Sequence, residues 1–207
     1  MAKSLPNIVI VDYGLGNLRS VQKALEMMSA DALISNKAKD MLDSDALILP
    51  GVGAFRDAVK NMEAIQKTIC DQVEAGKPLL GVCLGLQLLF TESTEGGLFK
   101  GLDVFRGRIV RFSESLKVPH MGWNTLKIVD EDNPLVEGLS NEEYAYFVHS
   151  YYAKAKSKRA IVTLTEYGVD FPSMLCEKNV YATQFHPEKS GKTGLKILRN
   201  FLDVVKR

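Results

Sequence analysis

Pro78-Leu79-Leu80-Gly81-Val82-Cys83-Leu84-Gly85-Leu86-Gln87-Leu88-Leu89-Phe90 is the stretch whose reading decides the fold. Its first half is a short apolar run of the kind buried on both faces of a parallel sheet. Its second half is apolar with a single Gln and reads as a buried helix. Between them, Gly81-x-Cys83-x-Gly85 is the thiol counterpart of the Gly-x-Ser-x-Gly nucleophile elbow. A strand that turns sharply into a helix holds its corner residue in a strained conformation, and flanking glycines let the chain fold tightly there. The corner side chain then stands clear of the sheet over the positive end of the helix, which favours the attacking thiolate. A lone cysteine in an apolar run is ordinarily core packing, so the elbow needs support from the rest of the chain.

Upstream, Asn7 to Val11 is a continuous apolar strand ending at Asp12-Tyr13-Gly14-Leu15-Gly16-Asn17. The third glycine of a dinucleotide fingerprint is missing, so a tight turn into a helix is expected. Leu18, Val21, Leu25 and Met28 follow at helical spacing. Leu33-Ile34 suggests a short second strand, and Ala46 to Leu49 a buried one that stops at Pro50-Gly51-Val52-Gly53. Helical pattern runs through Phe55, Val59 and Met62, then through Ile65, Ile69 and Val73 to a stop at Gly76. Strand–helix alternation of this kind implies a parallel sheet with right-handed crossovers.

Downstream the pattern changes. Val104 to Phe112, Thr125 to Val129, Tyr144 to His149, Ala160 to Thr165 and Ser173 to Phe185 read as strands, with a hairpin turn at Glu177-Lys178-Asn179. A last helix is expected from about Gly191, with Leu195, Leu198, Leu202 and Val205 as its apolar face. The expectation is one α/β domain over residues 1–207, a doubly wound mixed sheet with helices on both faces and an antiparallel C-terminal section.

The chain has 26 Lys and Arg against 25 Asp and Glu, a net charge of +1, so no field points at nucleic acid or an anionic membrane. Three cysteines, at 70, 83 and 176, make neither a disulfide framework nor a zinc cluster. Cys70 and Cys176 read as core, and a reducing, cytoplasmic setting fits. Met1-Ala2-Lys3-Ser4 leads directly into a strand-like run, too short for a signal sequence. Pro78 to Phe90, the longest apolar stretch, is too short to span a bilayer. No metal or cofactor is expected.

A cysteine nucleophile needs a base, and the base needs a group to orient it. Of three histidines, His186 ends the run Val180-Tyr181-Ala182-Thr183-Gln184-Phe185, and Pro187 and Glu188 follow. His-Pro-Glu is a rigid turn in which a carboxylate can hold one imidazole nitrogen while the other faces a thiol. Read singly, His186 is a strand-end histidine and Glu188 a surface acid; paired with an elbow cysteine they suggest a catalytic set. Pro50-Gly51-Val52-Gly53 leaves another strand end, where free backbone N–H groups could meet an oxyanion together with that of Leu84.

At this point the sequence resembles a known family. GVCLGLQLLF, QFHPEKS and PGVG are similar to the Cys-His-Glu core of class I triad glutamine amidotransferases, and the likeness covers nearly the whole chain. DYGLGNLRSV (12–21), PHMGWN (119–124) and FVHSYY (147–152) resemble, within that family, the glutaminase subunits of imidazole glycerol phosphate synthases of histidine biosynthesis. The resemblance implies a flavodoxin-like sheet, with Cys83 as nucleophile, His186 as proton shuttle and Glu188 as its orienting group. It implies an oxyanion hole from the backbone of Val52 and Leu84, and glutamine binding by Gly51, Gln87, Glu95, His149 and Ser150. It implies no cofactor.

The family partner is a (β/α)8-barrel cyclase subunit that receives the ammonia in a heterodimer. With 207 residues there is no room for a barrel of about 250, so a separate chain is expected. Trp123, Asn124, Tyr146 and Lys189 are the expected docking residues, with His120 on the same surface and Trp123 as a loop anchor. Rival readings are a class I glutaminase serving another synthase, a stand-alone γ-glutamyl cysteine hydrolase, and a catalytically silent flavodoxin-like interaction module.

Overall fold

Apolar runs without alternation form the centre of the sheet. In the computed structural model, which describes residues 5–207, these are β1 (Asn7–Val11), β3 (Ala46–Leu49) and β4 (Leu79–Val82), with every residue of β3 and β4 buried. The segment Met1-Ala2-Lys3-Ser4, read as too short for a signal, lies outside the described residues. Helices α1 (Leu18–Glu26), α2 (Ala38–Asp43), α3 (Phe55–Met62) and α4 (Gln66–Glu74) alternate with the strands, and β2 (Asp31–Ser35) forms the parallel edge.

Successive residues of a strand point to opposite faces, and the core divides accordingly. Ile8, Ile10 and Ile48 pack with Val21 and Leu25 of α1, and with Ile197, Leu198 and Phe201 of the last helix, α6 (Gly191–Val205). Val9, Val11, Leu47 and Leu49 pack with Met41, Phe55, Met62 and Ile69 on the other side. A strand clothed on both faces has to be apolar throughout, which is why these runs show no alternation.

The C-terminal strands extend the same sheet. These are β8 (His120–Ile128), β9 (Glu143–His149), β11 (Ile161–Glu166), β12 (Asp170–Glu177) and β13 (Val180–Thr183). The order is β2-β1-β3-β4-β13-β12-β11-β8-β9, parallel up to β13 and antiparallel beyond it. The expected hairpin joins β12 and β13, with Lys178 in the left-handed region at φ 55°. Its neighbour Asn179 donates to the carbonyls of Val73 and Lys77, which ties the hairpin to the end of α4.

Several expectations fail at element level. The apolar run after Cys83 is a helix only over Leu84–Leu88 (α5); Phe90–Ser93 is β5 rather than more helix. With β6 (Phe99–Lys100), β7 (Phe105–Arg111) and β10 (Tyr151–Ala155) it forms a second sheet, ordered β10-β7-β5-β6. Phe90, Phe105, Ile109 and Ala153 bury that sheet against the α5 side of the core. The segment holding Trp123 is not a loop but the first half of β8: Met121 and Trp123 alternate outward, 63% and 55% exposed, so its period of two carries large apolar residues on the solvent side. The buried face of α6 runs through Gly194, Ile197, Leu198, Phe201 and Leu202, whereas Leu195 lies on the outer side. Cys70 and Cys176 are half-buried rather than core.

Candidate active site

β4 and β13 are hydrogen-bonded neighbours running in the same direction, with Val82 paired to Thr183. The residues just past their carboxyl ends therefore converge although about a hundred positions separate them, and those residues are Cys83 and His186. Cys83 sits between β4 and α5 at φ 54°, ψ −105°, a conformation that costs a non-glycine residue about 1–3 kcal/mol. Its N–H donates to the Thr183 carbonyl over 2.7 Å, which anchors the corner to β13. Gly85 permits the turn: a Cβ there would run into the carbonyl of Leu49 at the end of β3. Since α5 has five residues, the helix field under the thiol is that of little more than one turn.

His186 and Glu188, the expected base and orienting group, are placed by the turn Pro187–Lys189. Nδ1 of His186 lies 2.9 Å from Oε1 of Glu188, with the two side chains 2% and 1% exposed. Nε2 of His186 has no hydrogen-bond partner among the described residues. Burial opposes protonation of this ring, but the adjoining Cys83 and Glu188 outweigh it and raise its pKa to about 10. The main chain of the turn is pinned to β9. His186 N–H donates to the Tyr146 carbonyl (2.9 Å), while Ser190 Oγ accepts from Tyr146 N–H (2.9 Å) and donates to the His186 carbonyl (2.7 Å).

Cys83 opens into a cavity of about 270 Å³ that is also lined by Val52, Gln87, Glu95, His149, Ser150 and Tyr151. A larger cleft of about 560 Å³, between the 131–141 loop and Arg207, contains neither thiol nor imidazole. Gln87 is buried and donates from Nε2 to the Tyr151 carbonyl (3.0 Å) and to Gln184 Oε1 (3.3 Å). Glu95 lines the cavity with part of its carboxylate already engaged, since Oε2 accepts the N–H of Phe55 at the start of α3 (2.9 Å). Gly51, expected to bind substrate, does not line this cavity: it is buried behind Val52, where a Cβ would meet Leu84 and the phenol of Tyr13.

The two expected oxyanion donors, the N–H groups of Val52 and Leu84, are not both free. Leu84 N–H is bonded to the Gly51 carbonyl (3.4 Å), and that carbonyl belongs to the same peptide group as the Val52 N–H. Rotating this one peptide by half a turn exchanges the carbonyl for a donor.

Of the expected docking residues, Trp123, Tyr146 and Lys189 cluster. The Trp123 and Tyr146 rings meet edge to face at 6.0 Å, and Lys189 is exposed in the turn that pairs with Tyr146. Asn124 is turned the other way, with its amide committed to His120 and to the Glu166 carbonyl. His120 does not belong to an outer surface: it is 4% exposed and faces His149 across the β8–β9 ladder, because even-numbered residues of β8 point inward.

Two site residues carried no role in the sequence reading. Gln184 is fully buried and donates from Nε2 towards Cys83 Sγ (3.8 Å); an uncharged polar residue in an apolar run just before His186 was the available signal. Tyr13 donates to the Pro50 carbonyl, and burial, aided by nearby Cys83, pushes its phenol pKa up. No pattern in DYGLGN pointed to that contact.

The family model for glutamine amidotransferase class-I matches residues 9–205. Imidazole glycerol phosphate synthase subunit HisH of Methanosarcina acetivorans is 51% identical over 203 residues, covering 97% of this chain and 100% of that protein. The protein of the same name from Caldanaerobacter subterraneus subsp. tengcongensis is 49% identical over 201 residues, covering 96% and 98%. Among solved structures, a chain of PurLQS from Thermotoga maritima superposes with a TM-score of 0.75 at 21% identity, covering 97% of this chain and 99% of that one, a likeness of fold.

Proposed function

Since the chain belongs to the class-I glutamine amidotransferase family, we propose that it is the glutaminase subunit of an imidazole glycerol phosphate synthase. The observation that carries the chemistry is the buried His186–Glu188 pair, 2.9 Å apart, beside a cysteine held at a strained strand-to-helix corner.

Cys83 Sγ attacks the side-chain amide carbon of glutamine, and the oxygen takes the negative charge while donors from Val52 and Leu84 stabilise it. His186 holds the proton and passes it to the departing nitrogen, so the C–N bond breaks and ammonia leaves a γ-glutamyl thioester. Water then attacks the thioester with His186 taking its proton, the C–S bond breaks and glutamate is released. Glu188 keeps the imidazole in register for both steps. Gln87, Glu95, His149 and Ser150 form the substrate-binding wall, a reading supported by the cavity they share with Cys83, and Gly51 stands behind it through the peptide it shares with Val52.

Ammonia in open water is largely protonated and non-nucleophilic, so the product is useful only in a closed complex. The partner we infer is a (β/α)8-barrel cyclase subunit. It would use the ammonia to convert N'-phosphoribulosylformimino-AICAR phosphate to imidazole glycerol phosphate and AICAR. Trp123, Tyr146 and Lys189 would supply the docking face, with Asn124 behind it. We read residues 1–207 as one glutamine amidotransferase domain, supported by a sheet unbroken from β2 to β9. A reducing, cytoplasmic setting accords with three free cysteines; no described helix is long and apolar enough to cross a membrane.

Reconstitution with a cyclase subunit tests the reading. Cys83→Ala should abolish glutamine-driven turnover and leave turnover with ammonium salt intact. Loss of both would assign Cys83 to folding or docking and overturn the proposal.

A further inference from the structure

His120 and His149 are cross-strand partners on β8 and β9, enclosed by the rings of Phe112, Phe147, Phe171 and Tyr167. Burial depresses both pKa values, to about 4 for His120 and about 3 for His149, so both rings are neutral near pH 7. A neutral imidazole has one donor and one acceptor nitrogen.

The tautomers then follow from one fixed end. The Tyr151 carbonyl can only accept, and it lies 2.9 Å from His149 Nδ1, so that nitrogen carries the proton. His149 Nε2 is left as an acceptor and its neighbour at 3.0 Å is His120 Nδ1, which must donate. His120 Nε2 in turn accepts from the Asn124 amide at 3.2 Å. Asn124 is itself held, donating to the Glu166 carbonyl (2.9 Å) and accepting from Thr125 N–H (2.8 Å).

At the far end, the second lone pair of the Tyr151 carbonyl takes Gln87 Nε2 (3.0 Å), whose other N–H goes to Gln184 Oε1 (3.3 Å). Both Gln87 protons are thereby committed, and its amide oxygen is the atom left to accept from a ligand in the cavity. A reversed Gln87 amide would set oxygen against the carbonyl oxygen of Tyr151.

We propose that His120 and His149 are positioning residues, forming with Asn124 a one-way hydrogen-bond relay that fixes the Tyr151 carbonyl. Through it the relay fixes the direction of the Gln87 amide, and so the affinity of the pocket for an amino-acid substrate with donor groups. The kinetic consequence rests on the glutaminase reading of the cavity; the tautomers do not.

Long-range 1H–15N NMR on the chain labelled at histidine should show both rings neutral with the proton on Nδ1, the minor tautomer of a free histidine side chain. An Nε2–H tautomer or an imidazolium at either ring overturns the relay. In the reconstituted pair, His120→Phe preserves the aromatic packing and removes the donor. The KM for glutamine should rise roughly tenfold, the scale of one buried hydrogen bond, with kcat within about twofold and ammonium-driven turnover unchanged. His120→Asn, which returns a donor near the Nδ1 position, should restore most of the affinity. An unmoved KM in His120→Phe, or equal loss in both variants, rejects the relay while leaving the glutaminase reading to the Cys83→Ala result.

Discussion

The backbone N–H of Leu84 donates to the carbonyl oxygen of Gly51 across 3.4 Å, directly above the corner that carries Cys83. As long as this bond stands, the oxyanion hole we propose has no complete pair of donors. Turning the 51–52 peptide frees Leu84 and aims the Val52 N–H into the same space. Val52→Pro deletes that N–H and should lower glutamine-driven kcat by about 100- to 1000-fold, the range for a lost oxyanion donor. Val52→Ala keeps it and should remain near the parent. Equal activity of the two variants in steady-state assays would exclude Val52 as a donor.

His186 offers a pH test. Its pKa is raised to about 10 in the folded chain, against about 6.5 for an ordinary imidazole. A base raised on folding adds stability in full below about pH 6.5 and loses it as the pH climbs towards 10. Cys83 is one of the two raising neighbours, so Cys83→Ala should move the His186 midpoint downwards in an NMR titration and shorten that window from its alkaline end. Glu188→Gln should shift it the same way and reduce kcat less than His186→Asn does, because an amide oxygen can still accept from Nδ1. A midpoint that stays put in both variants would mean that neither neighbour senses the ring.

Gly85→Ala should destabilise the fold by about 1–3 kcal/mol, the usual scale of overpacking. The added methyl faces a backbone carbonyl, that of Leu49, which cannot rotate away as a side chain would. Urea denaturation measures the change, and wild-type stability would show that α5 can slide off β3.

Ser190→Ala removes an acceptor from the Tyr146 N–H and a donor from the His186 carbonyl in one step. The variant should lose about 1–3 kcal/mol in denaturant melts, the penalty for stranding a buried polar group. Glutamine-driven kcat should also fall, since the turn that carries the imidazole is no longer pinned. Ser190→Thr, which keeps the hydroxyl, should lie between the two.

The parallel half of the sheet was legible because burial on both faces leaves an unmistakable apolar run at Asn7, Ala46 and Leu79. Cys83, His186 and Glu188, the proposed nucleophile, base and orienting acid, could be singled out because glycines and a proline mark the two strand ends that carry them. Phe90–Ser93 was hidden: its apolar first residue continues the α5 pattern, and only the second sheet, assembled from distant segments, gives it partners. The outward-facing Met121 and Trp123 disguised β8 for the opposite reason, since large apolar residues on a solvent face contradict the alternation that identifies a half-buried strand. His120 was misplaced with them; knowing that it faces His149 requires the strand register, which no local pattern encodes.

β13 is the last strand in the chain, yet it lies between β4 and β12 in mid-sheet. On the ribosome, a nascent polypeptide ending before residue 180 therefore has its cysteine corner without the Thr183 carbonyl that anchors it, and without an imidazole opposite. The corner and the imidazole can therefore meet only after the final strand has been inserted. The same arrangement leaves one margin of β4 unzipped until late, the interval in which the growing chain is most open to stray strand pairing.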